Sequence, residues 1–222
     1  MKKLSDNEIR ETILEISKVM YEKGMVNALE GNISYKDGDR IYITPSGICK
    51  GYLKSEEIAV VNMSGEMIEG EHKPSSELKL HLACYKLRDD IKAVVHTHSP
   101  YATAHAIANK PITTKAYPEM IVIFDKVPIV KYGTPSTDEI HEGICDVIYE
   151  YDVFMLANHG VISVSSELFD AFFRIEAVEN IAKVLTITKQ IGGEHELPAE
   201  KIDLLYDLHK KNLAERKARF SG

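Results

Sequence analysis

The spacing of apolar residues predicts a helix at the beginning of the chain. Isoleucines and a methionine recur at intervals of three and four residues from Ile9 to Met20, which is typical of a helix with one buried face. Ser5 and Glu8 precede this stripe with the spacing of a capping box. Gly24 follows it and is a common helix terminator.

Short apolar runs bounded by turn residues predict strands in the rest of the chain. They lie at 41–44, 58–63, 66–68, 91–95, 127–132, 153–157 and 161–164. Further helices are predicted from 74, over 100–108, 138–150 and 167–190, and from about 198 onwards. This order of elements predicts a three-layer α/β fold, in which helices flank a central, mainly antiparallel sheet. Because no repeat or linker interrupts the pattern, we expect one domain over residues 1–222.

Composition narrows the class of protein. The chain has 222 residues, of which 44% are hydrophobic and 27% charged, as in a soluble globular domain. A net charge of −7 argues against a nucleic-acid partner, and no apolar run reaches the roughly 20 residues of a membrane span. Three cysteines, distant from one another in the sequence, favour a reducing, cytoplasmic location.

Two histidines follow the buried strand that ends at Val95. His96 and His98 are two residues apart, and side chains at this spacing leave a strand on the same face. A pair of imidazoles is a common start of a metal site. A catalytic zinc site usually has three protein ligands and a position for substrate.

The missing ligands have candidates elsewhere in the chain. His159 follows the apolar run 153–157, so neighbouring strands would bring it to the histidine pair. Glu77 lies at the start of a helix, which favours its charge. His81 lies four residues later on the same helix face and is a second candidate, ranked below Glu77 because a helix N-terminus presents Glu77 more openly. Three imidazoles and a carboxylate would suit Zn²⁺ acting as a Lewis acid on an oxygen anion.

Two other segments offer backbone N–H groups and small polar side chains. Gly31 and Asn32 form a predicted tight turn before a strand, and Ser75 and Ser76 begin a helix. Such segments can bind an anion. Taken alone, each is better interpreted as an ordinary turn or helix cap.

Five segments, taken together, resemble the class II aldolase and adducin family, and within it the L-fuculose-phosphate aldolase type. The resemblance runs from about residue 8 to 190. The five segments are Gly31-Asn32-Ile33-Ser34, Ile43-Thr44-Pro45-Ser46-Gly47, Pro74-Ser75-Ser76-Glu77, His96-Thr97-His98 and Asn158-His159-Gly160. Each is common alone, but this order and spacing are jointly specific.

The resemblance implies roles for these residues. Zinc would be bound by Glu77, His96, His98 and His159. The phosphate of a sugar-phosphate substrate would be held by Asn32, Ser46, Gly47, Ser75 and Ser76. The resemblance also implies a homotetramer with fourfold symmetry, in which the active sites lie between subunits.

The implied reaction is cleavage of a ketose 1-phosphate, such as L-fuculose 1-phosphate, to dihydroxyacetone phosphate and an aldehyde. The substrate would chelate zinc, which would stabilise the resulting enediolate. Glu77 would act as proton donor and acceptor there. Tyr117 of a neighbouring subunit would act on the aldehyde oxygen, and Tyr206 is a further candidate for an aromatic residue near the C-terminus.

Two positions depart from the family pattern. Leu29 stands where the family often has Thr or Ser, so one hydrogen bond to phosphate would be missing. Glu30 follows it and would bring a negative charge if it faced the pocket.

Other functions share these motifs. An L-ribulose-5-phosphate 4-epimerase uses related chemistry but has Asp at the metal-site Glu, so Glu77 favours the aldolase, whereas Glu119 near Tyr117 keeps the epimerase open. A dehydratase or decarboxylase of a related sugar phosphate would fit the same scaffold. An adducin-like binding domain would have no need of four metal ligands and a phosphate site.

Overall fold

One eight-stranded sheet organises the protein. The structure is a computed structural model that describes residues 3–134 and 139–220, except for the side chains at 140–142 and 216–220. Its strands are β1 (Asn32–Asp37), β2 (Arg40–Ile43), β3 (Ala59–Val61), β4 (Met67–Glu69), β5 (Ala93–Thr97), β6 (Ile129–Val130), β7 (Val153–Leu156) and β8 (Gly160–Ser165). The order across the sheet is β4-β3-β2-β1-β5-β8-β7-β6. Only the β6–β7 pair among these is parallel. The predicted, mainly antiparallel sheet is therefore confirmed.

Helices cover both faces of this sheet. They are α1 (Asp6–Glu22), α2 (Leu78–Leu87), α3 (Pro100–Ile107), α4 (Glu139–Cys145), α5 (Leu168–Gln190) and α6 (Ala199–Phe220). Side chains of α1, α3 and α5 form one buried cluster with the sheet, and those of α2 and α4 form a second. Along β5, Ala93 and Val95 belong to the first cluster and Val94 to the second, as the alternation of a strand requires. The structure therefore has the predicted three layers.

The first helix begins as its sequence predicts. Ser5 Oγ accepts a hydrogen bond from the Glu8 N–H at 3.3 Å, and the Glu8 carboxylate accepts one from the Ser5 N–H at 2.8 Å. This capping box satisfies backbone donors that the first helical turn leaves unpaired.

Several elements differ from their predicted bounds. For example, the strand predicted over 91–95 spans Ala93–Thr97 and so includes His96. The strand predicted over 127–132 is only Ile129–Val130, an edge strand next to Pro128, which has no N–H to donate to a sheet. The helix predicted over 138–150 spans Glu139–Cys145 and continues as turns. Its predicted N-cap, Thr137, lies outside the described residues.

Three central strands bring distant parts of the sequence together. On β1, Asn32 lies opposite His96 of β5, and His96 in turn lies opposite Ile162 of β8. Directly opposite residues of antiparallel strands project to the same face, so Asn32 and His96 share a side of the sheet. None of the helices in the described part of the chain combines the length and apolar character needed to cross a bilayer.

Candidate metal centre and substrate cavity

The ring of His96 is oriented by a backbone carbonyl. Its Nδ1 lies 2.9 Å from the carbonyl oxygen of Val161 on β8 and donates to it. His96 is fully buried, so this hydrogen bond fixes the ring and turns Nε2 towards the end of the strand. Carbonyl partners of this kind commonly hold histidine ligands in the correct tautomer.

Four side chains converge at this point. Glu77 Oε2 lies 3.1 Å from His96 Nε2, and Glu77 Oε1 lies 2.9 Å from His159 Nε2. His96 Nε2 lies 3.0 Å from His98 Nε2. One possible ligand atom from each of the four residues lies within 4.8 Å of the other three. The structure thus brings together all four residues that the sequence predicted as metal ligands.

The hydrogen bonding of these groups fits a bound cation. In a neutral His96, the Nδ1 proton is used on Val161, so Nε2 offers a lone pair to the Glu77 carboxylate, which is itself an acceptor. His159 Nδ1 is buried and has no hydrogen-bond partner within the described part of the chain, whereas His159 Nε2 faces Glu77 Oε1. Nitrogen and carboxylate oxygen donors suit zinc and related divalent ions. The four residues could therefore hold a metal ion.

The protonation of Glu77 and His98 also favours metal binding. Burial raises the pKa of Glu77, but the neighbouring His96 and His159 outweigh burial and hold this pKa well below its usual value. Burial, with His96 and His159 nearby, lowers the pKa of His98 to about 4. At neutral pH Glu77 is therefore ionised and His98 neutral, the forms that ligate metals.

The pKa of His96 moves in the opposite direction. Burial lowers it, but the charge and hydrogen bond of Glu77 outweigh burial and raise it. The proton therefore competes with a metal ion for His96 Nε2 more strongly than at an ordinary histidine. Metal binding at His96 is consequently favoured by higher pH.

The sequence suggested that Glu77 lies in the first turn of a helix that begins at residue 74. In the structure, Glu77 instead directly precedes helix α2. The N–H of Leu78 donates to the Ser75 carbonyl at 3.0 Å, and the N–H of Glu77 donates to Ser75 Oγ at 3.2 Å. Ser75 therefore stabilises the turn that leads into the helix, and the prediction that a serine caps the helix itself was wrong. Glu77 occupies the N-cap position, from which its carboxylate reaches the histidines.

A buried chain of hydrogen bonds supports the Glu77 carboxylate. Asn32 Nδ2 donates to Glu77 Oε2 at 2.7 Å, and Asn32 Oδ1 accepts from His81 Nε2. Ser34 Oγ lies 2.6 Å from both His81 Nδ1 and the Tyr85 hydroxyl. Burial lowers the pKa of His81 to about 3, so its ring is neutral and Nδ1 accepts from Ser34, which in turn accepts from Tyr85. His81 thus lies behind the cluster, outside the set of four possible ligands.

An open cavity of about 580 Å³ lies beside the four ligand candidates. Its walls include four of the five predicted phosphate-binding residues, namely Asn32, Ser46, Ser75 and Ser76. The fifth, Gly47, is outside the lining but has a φ of +73° in the turn that directly follows Ser46.

The two positions that depart from the family pattern also line this cavity. Leu29 is largely exposed and offers no hydrogen-bond donor from its side chain. Glu30 Oε1 lies 3.6 Å from His98 Nδ1. Glu30 therefore brings a second carboxylate to the cavity, close to the four metal-ligand candidates. This is the negative charge expected from the sequence if Glu30 faced the pocket.

Tyr117 and Tyr206 do not line the cavity of their own chain. Tyr117 is partly buried and packs against the core cluster formed with α1, α3 and α5. Tyr206 lies on α6 and forms a hydrogen bond with Asp125, and burial together with Asp125 raises its pKa. The roles expected for these tyrosines stay predictions.

A glycine allows the histidines to approach each other. A Cβ atom at Gly160 would lie 2.5 Å from the Thr97 carbonyl oxygen, 2.8 Å from His98 Cδ2 and 3.0 Å from His96 Cε1. Real Cβ atoms do not approach other heavy atoms so closely. The glycine after His159 is thus a packing requirement of the ligand cluster.

Lys50 also lines the cavity, although no motif in the sequence indicated a role for it. Its side chain is buried, and Nζ donates to the carbonyl oxygens of Ile48 at 2.9 Å and Pro45 at 3.4 Å. The available signal was a lone lysine three residues after the last residue of the Thr-Pro-Ser-Gly turn, in a segment that is otherwise uncharged.

Comparison with known proteins agrees with this geometry. Residues 11–186 match the family model described as Class II Aldolase and Adducin N-terminal domain. The chain is 34% identical to the L-fuculose phosphate aldolase of Methanococcus maripaludis, over 77% of this chain and 92% of that protein. It is 31% identical to the 3-oxo-tetronate 4-phosphate decarboxylase of Haemophilus influenzae, over 96% of this chain and 99% of that protein.

A solved structure shows the same fold. It is that of an L-fuculose 1-phosphate aldolase, with a TM-score of 0.82 and 31% identity, covering 93% of this chain and 98% of the other. The sequence match and the shared architecture lead to the same conclusion. This chain belongs to the class II aldolase and adducin N-terminal domain family.

Proposed function

We propose that this protein is a zinc-dependent aldolase that cleaves a ketose 1-phosphate, of the L-fuculose 1-phosphate type, to dihydroxyacetone phosphate and an aldehyde. The observation that carries the proposal is the convergence of Glu77 and three histidines beside a cavity with serine donors. The relatives named as aldolases support the reaction class. The four ligand candidates contain no cysteine, which favours a catalytic over a closed structural zinc site.

Zinc would be held by Glu77, His96, His98 and His159, and when bound it would supply Lewis-acid stabilisation of a negative oxygen on the substrate. Glu77 would be the proton carrier. Asn32 holds its Oε2, and its Oε1 faces His159 Nε2 at 2.9 Å. In the direction of carbon–carbon bond formation, Glu77 would remove the proton from the carbon of dihydroxyacetone phosphate that attacks the aldehyde. In cleavage it would return a proton to that carbon.

The phosphate would bind at the serine end of the cavity. Ser46, Ser75 and Ser76 line this end, and the backbone N–H of Gly47 would be a further donor. The Asn32 amide nitrogen has two protons, of which one is used on Glu77. We assign the second proton to a hydrogen bond with the phosphate.

The aldehyde end of the site would be completed by a neighbouring subunit. Tyr117 does not line the cavity of its own chain, so a role at the aldehyde oxygen requires another copy. We therefore include a homotetramer with active sites between subunits in the proposal. Tyr206 is a weaker candidate for the same end of the site, because Asp125 already binds its hydroxyl.

A second candidate function is decarboxylation of a phosphorylated 3-oxo acid. It is favoured by the relative from Haemophilus influenzae, whose match extends over 96% of this chain. Loss of carbon dioxide from a 3-oxo acid also leaves an enolate-type oxygen, so the same cluster would serve both reactions. The substrate distinguishes them, because only the decarboxylase must accept a carboxylate beside the metal.

Metal analysis and product analysis test the proposal. Protein purified without added chelator is expected to contain about one zinc ion per chain, since the four ligands form one site. His96→Ala is expected to lose the metal. A coupled assay should detect dihydroxyacetone phosphate released from L-fuculose or L-ribulose 1-phosphate.

Three outcomes would contradict the aldolase assignment. A wild-type protein without metal would remove its basis. Release of carbon dioxide from a 3-oxo-tetronate 4-phosphate, without ketose 1-phosphate cleavage, would establish the decarboxylase. Conversion of L-ribulose 5-phosphate to its 4-epimer would establish the epimerase.

A further inference from the structure

The Lys50 side chain is a buried cation without an anionic partner among the described residues. Its residue is 3% exposed, and the described partners of Nζ are two backbone carbonyls, of Ile48 and Pro45. Burial lowers the pKa of this ammonium group. An ammonium has three donors, so these two carbonyls leave one proton without a partner.

Such an arrangement is unfavourable unless an anion binds. A buried charge is normally paired, because carbonyl dipoles replace only part of its hydration. Lysines that serve structure alone usually extend their ammonium group into water. Lys50 instead lines the cavity that contains Ser46, Ser75 and Ser76.

We propose that Lys50 is the positively charged group of the phosphate subsite and binds the phosphate of the substrate together with the serines. This inference rests on the proposed function for the identity of the substrate. Among the described residues that line the cavity, Lys50 is the only lysine or arginine. The serine and asparagine donors are neutral, whereas a phosphate brings a charge between −1 and −2.

The local sequence explains why this chain needs a cation here. Leu29 lines the cavity without a side-chain donor, and Glu30 places a carboxylate on the same wall. Both features weaken anion binding compared with a purely neutral set of donors. Lys50 lines the cavity from a different segment, where its Nζ donates to the Pro45 carbonyl, and its charge offsets both features.

Lys50 would also contribute to the choice of substrate. A phosphate is recognised by charge, whereas an unphosphorylated ketose offers only hydroxyl groups to this end of the cavity. The ammonium therefore favours phosphorylated over free sugars. Its removal should reduce affinity for the phosphorylated compounds and leave binding of the free ketone at the metal unaffected.

Calorimetric titration of the metal-containing full chain tests this inference with three probes: inorganic phosphate, dihydroxyacetone phosphate and dihydroxyacetone. For Lys50→Met, we expect the dissociation constants of both phosphate compounds to rise about 10- to 100-fold, as for loss of one charged hydrogen bond. Binding of dihydroxyacetone should not change. Lys54→Met is the matched control, because Lys54 is exposed and the change of charge is the same. It should bind all three probes like the wild type.

Unchanged phosphate affinity in a folded Lys50→Met variant would overturn the inference, as would a wild type that binds neither phosphate compound. If Lys50→Met does not fold, Lys50→Arg and Lys50→Gln separate charge from packing. The arginine variant should bind phosphate within a few-fold of the wild type, and the glutamine variant about 10- to 100-fold more weakly. Equal affinity of these two variants would overturn the inference.

The inference and the proposed function can fail separately. Phosphate binding that depends on Lys50, in a protein that cleaves no ketose 1-phosphate, supports the subsite and contradicts the aldolase. Cleavage of a ketose 1-phosphate by a protein whose Lys50→Met variant retains full phosphate affinity supports the aldolase and overturns the role of Lys50.

Discussion

The Asn32 side chain joins the metal-ligand candidate Glu77 to the interior of the protein. Its Nδ2 donates to Glu77 Oε2 at 2.7 Å, while its Oδ1 accepts from the buried His81. Because both ends of the amide are engaged, its orientation is fixed. The carboxylate of Glu77 is consequently held in one rotamer before any metal or substrate binds.

Replacement of this asparagine should weaken metal binding without removing a ligand. For Asn32→Ala, we expect zinc affinity to fall about 10- to 100-fold, as is usual when a partner behind a metal ligand is lost. Competition with a chromophoric chelator measures this change. Asn7→Ala, which removes an exposed amide that donates to Glu11, is the control and should retain wild-type affinity. Equal affinities of the two variants would show that Asn32 does not position Glu77.

A methyl group at Gly160 should disrupt the histidine cluster. Its Cβ would overlap the Thr97 carbonyl and the rings of His96 and His98, so β5 and β8 must separate. We expect Gly160→Ala to lower the free energy of unfolding by about 1–3 kcal/mol, as for other overpacked sites, and to abolish tight zinc binding. Denaturant unfolding and metal content provide the two measurements.

Gly38→Ala separates this effect from simple backbone strain. Gly38 has a φ of +63° and open space around its Cβ position. Its replacement should reduce stability by about 1–2 kcal/mol and leave zinc content at the wild-type level. Full zinc occupancy in Gly160→Ala would refute the packing argument.

The metal-free protein should lose stability as the pH falls below about 6.5. The pKa of His98 is about 4 and that of His81 about 3, both below the ordinary value of 6.5, with burial as the main cause. The unfolded chain therefore binds protons at these sites first. Their contribution is fully present above about pH 6.5 and is lost as the pH falls towards 4 and 3, by at most about 1.4 kcal/mol per pH unit for each group.

Urea unfolding of the metal-free protein between pH 7 and pH 4 measures this dependence. His96 opposes it, because Glu77 outweighs burial and raises the pKa of His96. His81→Gln isolates one group, since it removes the proton-binding site and keeps a polar side chain next to Asn32. Its stability should fall less steeply with pH than that of the wild type. Parallel curves would contradict the assignment of a strongly lowered pKa to His81.

Mixing two inactive variants tests whether active sites lie between subunits. Glu77→Gln and Tyr117→Phe should each lower kcat at least about 100-fold, as expected for groups that transfer protons. In a cyclic tetramer assembled at random from equal amounts, about a quarter of the sites would combine an intact Glu77 with an intact Tyr117. Activity should recover to that extent after co-refolding. A mixture that stays as inactive as its parents would place Tyr117 outside the site or within its own chain.

The sequence was sufficient for the features that depend on local spacing. The capping box of Ser5 and Glu8 and the pairing of His96 with His98 on one strand face follow from residues two or three positions apart. The apolar runs likewise predicted the other seven strands of the sheet, whereas β1 was expected only as a strand after the Gly31-Asn32 turn, and edge elements such as Ile129–Val130 differ in length. Edge strands have fewer partners, so their sequence constrains their ends less.

The features that the sequence did not predict depend on packing between distant segments. Asn32 resembled a simple phosphate donor, because nothing near it in the chain indicates its hydrogen bonds to Glu77 and His81. The burial of Lys50 depends on the fold around the Thr-Pro-Ser-Gly turn. Glu77 lies one residue before helix α2, since Ser75 forms a turn that helix periodicity cannot detect.

The arrangement of β1, β5 and β8 has a consequence for the order of events in folding. Glu77, the His96 pair and His159 come from separate segments and meet only when β5 has paired with β8 and α2 has packed beside them. A metal ion therefore has no complete site in a partly folded chain. We expect zinc to leave the rate of folding nearly unchanged and to slow unfolding, since its bonds form after the transition state.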